Sequence, residues 1–187
     1  YGEDIPFVVE LETNSVCTKA CSYCPRPQDE SYTLDEVTYK SVIDQLKEWG
    51  FKGRVSPHSF NEPLTDSRLL DLLSYTHEQL PKSEIVLFTN GDLLTEEKVD
   101  ELVGVGVSIV VLSLHDDPTT KRHEARLNRL NERYNIIELH DRREGLRDLP
   151  LSTRGGEIAY EETSPRTFCR DIYKMIIRAS GDVVLCC

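Results

Sequence analysis

Ser108-Ile109-Val110-Val111-Leu112-Ser113-Leu114 is an almost unbroken apolar run of β-branched and aliphatic residues. Such a run is the pattern of a strand covered on both faces, which belongs in a parallel sheet with helices outside it. Working outward, Ser83–Thr89 (SEIVLFT) is the preceding strand, and Thr95 caps the short helix between the two. Further back, Gly53–Phe60 reads as a strand that runs into Asn61-Glu62-Pro63, and Asp66 caps a helix carrying Leu69, Leu72, Leu73 and Leu80. Ile5–Glu12 (IPFVVELE) mixes alternation with β-branching and reads as the first strand. Thr33-Leu34-Asp35-Glu36 is a capping box; it opens a helix with Tyr39, Val42, Ile43, Leu46 and Trp49 at helical spacing, stopped by Gly50. Beyond the opening stretch come a polar, Arg-rich helix over 117–133 and a fifth strand, Asn135–Leu139. Strand, loop and helix thus alternate at least four times, which calls for a right-handed parallel sheet, open or closed as a barrel.

After residue 141 the pattern changes. Leu149–Gly156 (LPLSTRGG) reads as a sixth strand end and turn, followed by a polar connector. Asp171–Ile177 and Asp182–Cys187 flank Ser180-Gly181, a hairpin signal that does not fit a βα repeat. The expectation is an α/β chain: a partial (βα)6 barrel of parallel strands over 1–165 and a small C-terminal β-hairpin module over 166–187. The 187 residues include 33 Asp and Glu against 22 Lys and Arg, a net charge of −11 that argues against a nucleic-acid partner. Hydrophobic residues at 39% are too many for a disordered chain. No apolar run reaches the roughly 18 residues of a membrane span and no signal peptide opens the chain, so a cytoplasmic protein without a membrane partner is expected.

Six cysteines are clumped: Cys17, Cys21 and Cys24, then Cys169, then Cys186 and Cys187. The long cysteine-free stretch with helix and strand patterning is not a small stapled scaffold, so disulfides are the weaker reading. Zinc takes four ligands, often from C-x2-C pairs, whereas this C-x3-C-x2-C run supplies three. His58, His115 and His140 are candidates for a fourth, though none is near in sequence. Three thiolates suit a cubane cluster with one iron left open. Buried, inert thiols are the bland reading of Cys169 and the adjacent pair.

In βα sheets the functional groups sit on loops after the strands' C-terminal ends. Four unusual sequences fall there: the cysteine loop, Asn61-Glu62-Pro63, Asn90-Gly91 and Ser113–His115. Singly each has an ordinary reading, such as a turn for Asn90-Gly91 or a helix lead-in for Glu62-Pro63. Together on one rim they mark a site.

Cys17-Thr18-Lys19-Ala20-Cys21-Ser22-Tyr23-Cys24, with its C-x3-C-x-aromatic-C spacing after the first strand, resembles the signature of the radical S-adenosylmethionine (SAM) enzymes. Cys169, the Gly-turned hairpin and Cys186 extend the likeness to the SPASM and Twitch subgroup. Phe88–Asp92 and Leu151-Ser152-Thr153-Arg154-Gly155-Gly156 resemble its aminocyclitol dehydrogenases, a type that oxidises a secondary alcohol of 2-deoxy-scyllo-inosamine. The resemblance implies a [4Fe–4S] cluster on Cys17, Cys21 and Cys24, with SAM chelated to the fourth iron. Reductive cleavage would yield a 5′-deoxyadenosyl radical that takes hydrogen from a small-molecule substrate. An electron donor such as flavodoxin or ferredoxin is implied as partner. Tyr23 matches the position against the adenine. Asn61, Glu62 and Pro63 match a Gly-Glu-Pro motif holding the methionyl amino group, with Asn in place of Gly; Asn90 and Ser113 complete the SAM-side set. Cys169 with Cys186, or alternatively Cys187, would begin an auxiliary [4Fe–4S] site, and Arg154 would face substrate. The chain ends before further ligands and lacks an initiator Met, so a piece of a longer protein is expected. A peptide-modifying maturase or epimerase and, from another class, a non-catalytic zinc or iron–sulfur module are the alternatives.

Overall fold

The structure, a computed structural model, describes residues 6–21, 24, 31–114, 129–141 and 173–184. In chain order the elements are β1 (Val8–Leu11), α1 (Glu36–Glu48), β2 (Arg54–Ser56), a 3-10 turn (Pro63–Thr65), α2 (Leu69–Gln79), β3 (Glu84–Thr89), α3 (Glu96–Gly104), β4 (Ile109–Leu114), β5 (Ile137–Asp141), β6 (Lys174–Ile177) and β7 (Val183–Val184). They build one sheet in the order β5-β4-β3-β2-β1-β6-β7. Strands β1 to β6 are parallel to their neighbours, and β7 alone is antiparallel, on β6. This is the expected α/β fold with a row of six parallel strands. The first hairpin strand is part of that row: Val8 to Leu11 pair with Lys174 to Ile177. The proposed boundary near residue 165 falls outside the described residues, as do the sixth-strand reading at 149–156, the first part of the 117–133 helix, His115, Tyr23, Arg154 and Cys169, Cys186 and Cys187.

Several element ends differ from expectation for local reasons. β2 stops at Ser56 rather than Phe60, because Pro57 has no N–H to donate to the ladder. β5 begins at Ile137 because Asn135 has φ 51°, a left-handed conformation no strand accommodates. The cap of α1 is Asp35, not Thr33; its carboxylate accepts the Thr38 N–H at 2.9 Å. Asp66 likewise accepts the Arg68 N–H at 3.0 Å, and α2 starts only at Leu69. Thr95 caps α3 as the sequence indicates, accepting the Lys98 N–H.

Two apolar clusters pack the helices on one face of the sheet. Val9, Leu11, Val55 and Ile177 meet Tyr39, Ile43 and Leu46 of α1. Ile85, Leu87, Val110 and Leu112 meet Leu69 and Leu73 of α2 with Val99 and Leu102 of α3. Alternation along the strands then turns Glu10, Glu12, Ser56, Val86, Phe88 and Ser113 to the other face. That inner face is polar at its rim, and the loops that follow β1, β2 and β3 meet there.

Candidate active site

The loop after β1 is tied to both neighbouring loops. Val16 O accepts the Glu62 N–H at 2.8 Å, and Asn14 Nδ2 donates to Thr65 Oγ1 at 3.1 Å. Asn90 reaches across from the loop after β3: its Nδ2 donates to Thr18 Oγ1 at 2.9 Å and lies 3.7 Å from Cys17 Sγ. Thr18 donates to Asp92 Oδ2 at 3.0 Å, and Lys19 Nζ pairs with Asp92 Oδ1 at 3.1 Å. Gly91 makes that turn possible. Its φ is 80°, and a Cβ there would stand 2.4 Å from Leu112 Cδ1.

Glu62 is the centre of the rim. It is 1% exposed, yet its carboxylate accepts from Leu64 N–H (3.2 Å) and Thr89 Oγ1 (2.8 Å) on one oxygen and from Asn90 N–H (2.7 Å) on the other. Burial pushes its carboxyl above the usual range, against the pull of these three hydrogen bonds, and the nearby Asp92 charge adds to the rise. A carboxylate has about four acceptor sites, so one remains for a ligand donor. Pro63, at the start of the 3-10 turn, spends no N–H that the site needs. Asn61 is buried and turned onto its own loop, accepting Ser59 N–H at 3.1 Å. Ser113 lies half-buried near the end of β4, beside β3 in the sheet.

Sequence reasoning missed the residues that fasten this rim. Glu12 is 4% exposed; its two oxygens accept from Phe60 N–H and Ala179 N–H, each at 3.0 Å, so one carboxylate clasps the β2 loop and the β6–β7 turn. Glu10 pairs with Lys174 Nζ at 3.0 Å on the same face. The signal was present in the Glu10 and Glu12 alternation with Val9 and Leu11, a polar stripe on a strand otherwise read as core.

Cys17, Cys21 and Cys24 are half-buried and free of disulfides. Cys17 Sγ accepts Lys19 N–H at 3.5 Å, and the Cys24 N–H closes a turn onto Cys21 O at 3.0 Å. Among the described residues no three His, Cys, Asp or Glu side chains converge closely enough to hold a metal ion. The donor chemistry nevertheless fits a cubane: three undisulfided thiols on one loop, with N–H donors directed at one sulfur. Convergence of such thiols is coupled to metal binding itself.

A family model of the Radical SAM superfamily matches residues 11–148. The chain belongs to the Radical SAM superfamily. Among relatives, the radical SAM chain is 33% identical over 111 residues to the S-adenosyl-L-methionine-dependent 2-deoxy-scyllo-inosamine dehydrogenase of Niallia circulans, covering 58% of this chain and 44% of that protein. It is 31% identical over 117 residues to the PqqA peptide cyclase of Bradyrhizobium diazoefficiens, covering 58% and 28%. The chain thus spans less than half the length of these curated relatives. The crystal structure of BtrN in complex with AdoMet and 2-DOIA superposes with a TM-score of 0.82 at 27% identity, over 97% of this chain and 73% of that one. SuiB bound to its precursor peptide, at 14% identity and a TM-score of 0.60, shares the fold. Within the radical SAM family the three clustered cysteines carry the iron–sulfur reading over zinc. Among the described residues no helix is long and apolar enough to cross a membrane.

Proposed function

We propose that this chain carries the core of a radical SAM dehydrogenase that oxidises a secondary alcohol of a small aminocyclitol such as 2-deoxy-scyllo-inosamine. The observation that carries the reading is the likeness to BtrN with AdoMet and 2-DOIA, which extends over nearly the whole chain. Cys17, Cys21 and Cys24 would hold a [4Fe–4S] cluster on the loop after β1. When bound, the cluster and SAM supply the electron and the 5′-deoxyadenosyl radical that start the reaction. This chain's residues do the rest. The remaining acceptor site on Glu62 receives an amino group, and Asn90 with Thr18 and Asp92 holds the cysteine loop over it. Asn61, Pro63, Ser113 and Tyr23 complete the SAM side. Arg154 faces substrate, and Cys169 with Cys186 or Cys187 begins an auxiliary [4Fe–4S] site in a hairpin module. Flavodoxin or ferredoxin in the cytoplasm would donate the electron.

The likeness to a peptide cyclase favours a second reading, a peptide-modifying enzyme. One experiment separates them. Anaerobically reconstituted protein with reductant and SAM should release 5′-deoxyadenosine, and with 2-deoxy-scyllo-inosamine it should form a ketone. Deoxyadenosine without ketone would favour the peptide reading, and no deoxyadenosine at all would reject both.

A further inference from the structure

Asn90 follows β3, is buried, and has its side chain held in one orientation by its neighbours. Its backbone N–H donates to Glu62 Oε2 at 2.7 Å, and its side-chain oxygen accepts the Asp92 N–H at 3.0 Å. A backbone N–H only donates, so the amide oxygen is turned to Asp92 and the two N–H bonds of Nδ2 to the cysteine loop. One of them reaches Thr18 Oγ1 at 2.9 Å. Thr18 is the acceptor there, because its single hydroxyl proton goes to Asp92 Oδ2 at 3.0 Å. The second N–H of the same nitrogen faces Cys17 Sγ, 3.7 Å away, a separation that suits the larger radius of sulfur. The Lys19 N–H is directed at the same sulfur at 3.5 Å, and Lys19 Nζ is itself held by Asp92 Oδ1 at 3.1 Å. The turn after β3 thus orders the loop beside Cys17 and aims a side-chain donor at its sulfur.

A thiolate that ligates iron carries more negative charge once its cluster has taken up an electron. An N–H aimed at that sulfur therefore favours the reduced state over the oxidised one and raises the reduction potential. Bonds to a charged acceptor are the stronger class, and few waters compete with a buried amide. We propose that Asn90 is a positioning residue that sets the reduction potential of the cluster on Cys17, Cys21 and Cys24, through the N–H it gives to Cys17 Sγ. The inference rests on the reading of those three cysteines as cluster ligands. The electron comes from an external one-electron donor of the flavodoxin or ferredoxin class; Asn90 gives up no proton, and no covalent bond at it changes. Its backbone N–H on Glu62 makes the same residue a link between a cluster ligand and the carboxylate proposed to receive an amino group.

The test is a redox titration of reconstituted protein without SAM, with dithionite as reductant, followed by EPR. The signal titrated is the one that Cys17→Ala removes. Asn90→Ala keeps the backbone N–H on Glu62 and loses the amide. At a fixed potential its ratio of reduced to oxidised cluster should fall about tenfold, a midpoint lower by about 59 mV for a one-electron couple. Asn90→Asp keeps an acceptor for the Asp92 N–H but sets a carboxylate oxygen beside the sulfur, so its midpoint should fall at least as far. Thr18→Val loosens the latch while leaving the Asn90 amide in place, and its shift should be clearly smaller. Equal shifts in Thr18→Val and Asn90→Ala would mean loop support in place of N–H donation and would overturn the proposal, as would an unchanged midpoint in Asn90→Ala. If Asn90→Ala holds no iron, Asn90→Asp decides by the same reading. Loss of the cluster from both would make Asn90 a folding residue and overturn the proposal too. If every signal survives Cys17→Ala, the cluster reading fails and takes the inference with it.

Discussion

A carboxylate that is 1% exposed and accepts three hydrogen bonds, yet whose carboxyl is still held above its ordinary range, is an unusual use of Glu62. Desolvation opposes the charge more than the donors favour it. The consequence for stability has a definite sign. Below the ordinary value of 4.5, the unfolded chain holds the proton as the folded one does, and no stability is lost. As the pH rises past that value the unfolded chain releases its proton first. The folded state then binds more protons than the unfolded state, and stability falls until the raised folded value is passed. Glu62→Gln has no such proton to release. Wild-type stability relative to Glu62→Gln should therefore decline as the pH rises above the ordinary value of 4.5, read as the difference in Tm or urea midpoint. A difference that stays flat or grows across that range would show that the hydrogen bonds from Asn90, Thr89 and Leu64 outweigh burial.

Between elements, the packing of α1 on α2 contains one polar contact inside the core. Tyr39 is fully buried and its hydroxyl, 2.8 Å from Thr76 Oγ1, is pushed up to about 12 by burial. Thr76 itself donates to Leu72 O at 2.9 Å, so the tyrosine is the donor of the pair. Tyr39→Phe removes that hydroxyl while Thr76 keeps its backbone partner, and the cost should be about 1 kcal/mol in denaturant unfolding. Thr76→Val strands the Tyr39 hydroxyl in the core and should cost more; equal costs would mean that the hydroxyl has another partner. The helix itself was plain in the sequence, since Tyr39, Ile43 and Leu46 repeat at helical spacing. Its cap was not: Thr33 and Asp35 both precede Glu36, and only the backbone at Asp35 decides which carboxyl or hydroxyl reaches Thr38. Strand ends were misread for related reasons. Gly53–Phe60 looks extended throughout, yet Pro57 cannot join a ladder, and Asn135 is an acceptable strand residue until its φ is known.

At the scale of the whole chain, the βα order and the rim motifs were legible because each is local: a strand, then Cys17 to Cys24; a strand, then Asn61 to Pro63; a strand, then Asn90-Gly91. Contacts between segments far apart were not. Nothing near Glu12 says that its carboxylate joins Phe60 to Ala179, and nothing near Lys174 says that its strand lies beside β1. That placement bears on the proposed auxiliary cluster. β6 and β7 are antiparallel, so the chain enters one and leaves the other at the same end, away from the Ser180-Gly181 turn. In the sequence Cys169 lies five residues before Lys174 and Cys186 two after Val184. The Cys17 loop follows the opposite end of β1. On the proposed reading, the Cys17 group would serve the initiating cluster, and the thiols that flank the hairpin in sequence would serve the acceptor of the second electron. Reconstituted protein holding both clusters should contain about eight irons per chain, and Cys169→Ala about four. The variant should also form less ketone per SAM cleaved than wild type, because the substrate radical has lost its electron acceptor. An iron count that does not change on Cys169→Ala would remove Cys169 from the auxiliary site, and a ketone yield that does not change would remove the site from the reaction.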